Sequence, residues 1–152
     1  MNITLDPVHR ALRAGTVVAA VLVPLYFLVG SLGLASELPM QYSFDGEVSR
    51  TGSVTEARVT VAVLGVVAIG LIVLARFPHT FNYLVAITED NKLRQYRNAS
   101  QMMIWIAVAF VVIQIVMVGT WLHGLPIILV FVPLAGMGAA IIYFLSRTLR
   151  LK

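Results

Sequence analysis

Four stretches of this chain carry no charged residue at all: residues 14–35, 59–75, 101–122 and 125–146. The hydrocarbon core of a bilayer is about 30 Å thick, and an α-helix rising about 1.5 Å per residue needs about 20 residues to cross it. The first, third and fourth runs reach that length as they stand. The second reaches it once a capped first turn is counted. Of the 152 residues, 59% are hydrophobic and 12% charged, and soluble domains carry about twice that charged share. A water-exposed fold of this size could not cover so much apolar surface. The sequence therefore predicts an all-α integral membrane protein, a four-transmembrane-helix bundle forming one domain over residues 1–152.

Local signals place the helix ends. Asp6 before Pro7 reads as an N-cap and first helical position, since proline has no N–H to leave unpaired there. The first helix is expected over 7–35. Gly33-Leu34-Ala35 also resembles a signal-peptide cleavage site, but the apolar run exceeds the roughly 7–15 residues of such peptides. Ser53 and Glu56 fit a capping box opening a second helix over 54–77, with Pro78 as its stop. Thr88 reads as the N-cap of a third helix over 88–122, whose exposed start is supported by the Asp90/Arg94 and Arg94/Asn98 spacings. Gly124 and Pro126 then form a tight corner into a fourth helix over 125–147. An outer loop, 36–53, and a cytoplasmic loop, 78–87, complete the layout. Pro24 and Pro133 are expected near mid-helix, each freeing the carbonyl four residues earlier, at Ala20 and Leu129.

Charge sets the orientation. The formal net charge is +4 with an isoelectric point near 9.9, which in a soluble chain would suggest nucleic acid. In a membrane protein it reports topology instead. Arg10, Arg13, Arg76, Lys92, Arg94, Arg97, Arg147, Arg150 and Lys152 fall on one side, against Arg50 and Arg58 on the other. Both termini are therefore expected in the cytoplasm, and no nucleic-acid partner is expected. There is no cysteine, which excludes a disulfide framework and a thiolate metal site.

The spans hold no ionisable residue at depth, which argues against a proton-coupled transporter or an ion pump. Gln114 is the most polar deep residue; it reads either as a hydrogen bond to a neighbouring helix or as a pore-lining or substrate-binding group. Small residues four apart, Gly15/Ala19, Ala135/Ala139 and Gly136/Ala140, permit close helix contact within the bundle or with a partner. No nucleophile–base–acid set is present, and His9 and His79 lie on the opposite side from His123. Neither enzyme activity nor a cofactor or metal is expected. A Ca²⁺ site at Glu37, Asp45 and Glu47 lacks the spacing of a known loop.

Two polar segments remain as interaction surfaces. In the outer loop these are Pro39, Gln41, Tyr42, Asp45, Gly46 and Glu47, with Pro39 restricting the chain, Tyr42 and Phe44 suited to the interface, and Gly46 and Gly52 permitting turns. In the cytoplasmic loop they are Phe77, Pro78, His79, Phe81, Asn82 and Tyr83. His79 and Asn82 there either cap the end of the second helix or meet a partner.

The outer loop resembles the signature of the bacterial membrane family called domain of unknown function 1648, which also occurs at the front of immunity proteins against the sporulation-delaying toxin. That signature runs roughly Pro-x-His-aromatic-x-x-x-Gly-x-x-Asp-x-Trp-Gly-Ser. Pro39, Tyr42, Gly46, Gly52 and Ser53 match it, whereas Gln41, Ser49 and Thr51 stand at the family's His, Asp and Trp positions. The segment Phe77-Pro78-His79-Thr80-Phe81-Asn82-Tyr83, then Ile87-Thr88-Glu89-Asp90-Asn91 and Gln95-Tyr96-Arg97, is similar to a second element of the same family. Together the two cover about residues 35–103. The resemblance implies a multi-pass protein of a bacterial inner membrane that acts as an interaction, accessory or immunity-like protein. Its expected partners are the lipid bilayer and another membrane protein or further copies of itself. A small oligomeric transporter or channel is the alternative, motivated by Pro24, Pro133 and Gln114. A membrane enzyme using His79 and Asn82 comes third.

Overall fold

Asp6 opens the first helix through its carboxylate, which accepts the His9 N–H at 3.1 Å. A computed structural model describes residues 5–43 and 45–151; Phe44 and Lys152, an interfacial aromatic and a tail cation in the sequence reading, lie outside them. Helix α1 runs Pro7–Gly30 and passes into a 3₁₀ turn, Ser31–Gly33, so it ends five residues short of its predicted boundary. The cause is Arg58 on the next helix. Its guanidinium donates to Ser31 Oγ at 2.8 Å and to the Ser31 carbonyl at 3.3 Å. A cation there suits the negative end of a helix and its orphan carbonyls.

The loop over residues 36–53 has regular structure. It contains an antiparallel hairpin, β1 over Glu37–Tyr42 and β2 over Val48–Ser53, where no strand was expected. Glu37 pairs with Ser53 and Tyr42 with Val48, with register irregularities on either side of Gln41. Gly46 turns the tip with φ +89°, a backbone region that glycine enters without steric cost. Leu38, Met40 and Tyr42 alternate along β1, and their side is the less exposed one, as the two-residue period of a strand requires. A Cβ on Gly52 would meet the flexible Glu56 and Met40 side chains, which would have to move aside.

Helix α2 runs Val54–Leu74. Ser53 Oγ accepts the Glu56 N–H at 3.1 Å, one half of the predicted capping box. The other half is replaced, because the Glu56 carboxylate turns to Arg50 in a two-pronged pair at 2.6 and 3.2 Å. A second 3₁₀ turn, Pro78–Thr80, follows. Helix α3, Lys92–His123, starts four residues later than predicted. Thr88 and Asn91 cap one another first: Thr88 N–H donates to Asn91 Oδ1 at 2.9 Å, and Asn91 N–H to Thr88 Oγ1 at 3.3 Å. The ion pair in this turn is Lys92 with Glu89, not Asp90 with Arg94. Gly124, at φ +67°, ends α3 in the left-handed conformation, its N–H bonding the Thr120 carbonyl at 3.2 Å as in an αL stop, and the Leu125 N–H closes back on the Gly119 carbonyl.

Pro126 opens a third 3₁₀ turn, Ile127–Val130, before helix α4, Phe131–Arg150. Pro133 is thus the third residue of α4 and not its middle. First-turn residues have no intrahelical acceptor, so this proline costs the helix nothing. Pro24 does lie inside α1. The carbonyl it leaves unpaired, Ala20, approaches Gly65 so closely that a Cβ there would stand 2.6 Å from the oxygen. Only glycine lets α2 pass.

Helices α1, α2 and α3 pack mutually, while the helix that α4 packs against is α3. The predicted bundle is therefore a three-helix core with α4 laid along one member. All four helices are long and apolar enough to cross a membrane. Large side chains stand exposed on them, Val66 and Ile142 among the most open at 69% and 71%; hydrocarbon, not water, is the environment that suits such faces.

Candidate interaction site

The hairpin is fastened to the helix ends by apolar burial and one buried polar bond. Leu38 is buried against Phe27 of α1, Ala57 and Val61 of α2, and Val118 and Trp121 of α3. The Trp121 ring lies 5.3 Å from that of Phe27, within the range of favourable aromatic pairs. Its indole N–H donates to the Pro39 carbonyl at 2.8 Å, at the point where the strand register breaks. A buried indole needs such an acceptor. Nearby, Tyr26 OH and His123 Nε2 lie 2.8 Å apart, joining α1 to the end of α3.

Under the hairpin tip, facing the α3–α4 corner, lies a groove of about 1030 Å³. Tyr42, Ser43, Asp45 and Gly46 form one wall; Met117, Thr120 and residues 124–128, 130 and 131 form the other. The corner is tight because the Leu125 side chain occupies the place of a Cβ on Gly119. No Lys, Arg or His is among the described residues lining the groove, and Asp45 is its one charge. Of the predicted outer-loop residues, Tyr42, Asp45 and Gly46 therefore share a wall. Pro39 serves the Trp121 bond, and Gln41 is exposed opposite Arg50. Glu47 closes the turn, its N–H donating to Asp45 Oδ1 at 3.1 Å and its carbonyl accepting the Ser43 N–H at 2.8 Å. Glu37 accepts from Thr51 Oγ1 at 3.0 Å at the far end of the hairpin. It does not join Asp45 and Glu47, and no group of three or more His, Cys, Asp or Glu side chains forms among the described residues.

No protein-family model, curated protein or solved structure matches this chain.

At the opposite end, the loop residues predicted as a surface divide. Phe81, Asn82 and Tyr83 line a crevice of about 410 Å³ together with Met102, Met103 and Leu145. Pro78 is buried, and its carbonyl accepts the Tyr83 hydroxyl at 2.8 Å. Burial, and secondarily the neighbouring Tyr96, pushes the Tyr83 phenol above its ordinary range, so it stays a neutral donor. His79 is exposed and meets Phe77 edge-on at 6.2 Å; it does not line the crevice that Asn82 lines.

The polar ties at this end come from helix α3 itself, from Gln95 and Asn98, which the sequence reading placed in its water-exposed start, and Gln101, which it placed where the helix enters the apolar run. Gln95 donates to the carbonyls of Thr148 at 2.9 Å and Leu151 at 3.1 Å. Asn98 donates to the Phe144 carbonyl and to Thr148 Oγ1, both at 2.9 Å. Gln101 donates to Asp6 Oδ2 at 3.0 Å and accepts from Arg147 at 3.0 Å, which links α1, α3 and α4. His9 Nδ1 lies 2.7 Å from the same Asp6 oxygen, and these bonds, the His9 side chain's foremost, hold the Asp6 carboxyl far below the usual carboxylate range. The available signal was the spacing of three carboxamides, Gln95, Asn98 and Gln101, three residues apart at the start of a helix.

Gln114, deep in α3, is fully buried and donates to the Val61 carbonyl of α2 at 2.8 Å. Gln95, Asn98 and Gln114 share one pattern. Each spends its NH₂ on a neighbouring element and leaves its own carbonyl oxygen buried without a partner. A buried unmet acceptor costs about 1–3 kcal/mol, so part of what each bond contributes is returned at the same residue.

Proposed function

We propose that this chain is a non-enzymatic interaction protein of a bacterial inner membrane, with both termini in the cytoplasm and a partner received at the hairpin end. The observation that carries this reading is the ordered hairpin, held by Trp121 and Leu38, with an open groove of about 1030 Å³ beneath it. The orientation rests on the nine Lys and Arg residues assigned to one side against two on the other. The resemblance to the domain of unknown function 1648 points to the same accessory or immunity-like role. Gln114 lends no weight to a transporter, since its NH₂ is engaged by a helix carbonyl in a fully buried position.

The test is photo-crosslinking in intact cells from Ser43 and from Ile128, on the two walls of the groove. The expected result is one discrete protein adduct from both positions, absent from Val66 on the exposed face of α2, and lost in Trp121→Leu. Adducts to lipid alone, or none at either position, would remove the reading.

A further inference from the structure

Resting on that reading, we infer that the groove beneath the hairpin takes a cationic amphipathic peptide segment, apolar on one side and bearing Lys or Arg on the other. Two observations converge on this chemistry. The deep wall is hydrocarbon: Met117, Leu125, Ile127, Ile128 and Phe131 line it, and Ile128 and Phe131 are 64% and 55% exposed. The rim is negative. Asp45 stands in the hairpin wall, Glu47 lies two residues on, and neither has an ion-pair partner among the described residues. The two arginines of this end are engaged elsewhere, Arg50 by Glu56 and Arg58 by Ser31.

The helix ends add no net preference: α3 brings its C-terminal, negative end to the groove at Thr120 and Gly124, and α4 brings its N-terminal, positive end at Val130 and Phe131. With no Lys, Arg or His among the described residues lining the groove, Asp45 is the charge that favours a positive ligand group. An amphipathic segment laying its apolar side into a groove is a standard mode of peptide recognition. A lipid whose ammonium headgroup met Asp45 would satisfy the same wall, and lipid occupancy is therefore an outcome of the test.

The test uses the full chain in phosphatidylcholine nanodiscs. The protein has no cysteine, so Ile128→Cys supplies a single fluorophore site on the groove wall and Val66→Cys a control site on the face of α2. Three synthetic peptides of about 18 residues, with the same leucine face and Lys, Ser or Glu on the other, are titrated onto each. The Lys peptide should shift the Ile128 label with an affinity about tenfold higher than the Ser or Glu peptide, and less so at high salt. Asp45→Lys should remove that preference and Asp45→Asn should reduce it. Both substitutions sit at an exposed turn and leave the apolar fastening of the hairpin intact. Thr120→Trp, which fills the groove from α3, should abolish the response.

Equal affinity for the three peptides, or indifference to Asp45→Lys, overturns the charge assignment while the interaction reading stands. A label that answers only to lipid composition, with no peptide displacing it, overturns the inference in favour of a lipid site. If in addition no adduct forms in cells, the interaction reading falls with it.

Discussion

The two ends of this molecule are closed in opposite ways. At the hairpin end a loop folds over the helices and is held by Leu38, Phe27 and Trp121, with one indole bond to a strand carbonyl. At the other end the loop contributes less, and the side chains of α3 reach across to α4 and to the start of α1. Hydrocarbon contact is non-directional and fixes a lid as a body. Amide bonds to backbone carbonyls are directional and fix helix register. The difference assigns the groove to the first end, where a surface must be rigid, and α4's attachment to the second.

That contrast can be broken by substitution. The largest effect is expected from Trp121→Ala, which removes both the aromatic contact and the Pro39 bond. It should cost about 3–5 kcal/mol, the usual range for deleting a buried aromatic. Thermal unfolding in a mild detergent would show the loss, and cleavage by an added protease near the hairpin would show the lid released. Retained protease resistance would mean that the hairpin is held by something else.

Next comes Asn98→Ala, which deletes two bonds to α4 but also removes an unmet acceptor. Interhelical hydrogen bonds in membranes average well under 2 kcal/mol, so a loss of about 1 kcal/mol is expected, with loosening confined to α4. Hydrogen exchange at residues 144–148 is the measurement. A loss as large as that of Trp121→Ala would erase the distinction between the ends.

Arg50→Gln breaks the pair with Glu56, whose partners are 43% and 41% exposed. Exposed pairs contribute little, so only a small change is expected, vanishing in high salt. A large effect would show that the hairpin depends on charge more than on its apolar face.

The most local effect concerns pH. The folded Asp6 carboxyl is depressed from its ordinary 3.8, chiefly by the His9 hydrogen bonds. Its contribution is therefore fully present above that value and is lost as pH falls from there toward the lower folded one. Thermal stability in a mild detergent should fall as pH is lowered through that range, and the fall should be smaller in Asp6→Asn.

Much of the architecture was legible in the sequence. The four spans follow from length and lack of charge alone, and Asp6, Ser53 and Gly124 mark helix ends by local chemistry that needs no tertiary partner. The hairpin was not legible. β1 contains a proline and β2 is polar, so neither reads as a strand until Leu38, Met40 and Tyr42 find helix ends to cover. The C-terminal end of α1 and the capping box shifted for a related reason: Arg58 took a partner at the end of α1, and Glu56 one on β2, over the local ones. Of the surface residues picked from sequence, Tyr42, Asp45 and Gly46 came together at the groove, whereas His79 and Asn82 did not share a site.

By itself, then, the sequence determined that this chain holds four helices long and apolar enough to cross a membrane, because uncharged helical length is a property of each segment alone. Tertiary structure decided the rest. Which carboxamide meets which carbonyl, why α4 lies along α3, and where a groove opens beneath the hairpin all depend on contacts between segments far apart in the chain. No single segment carries that information.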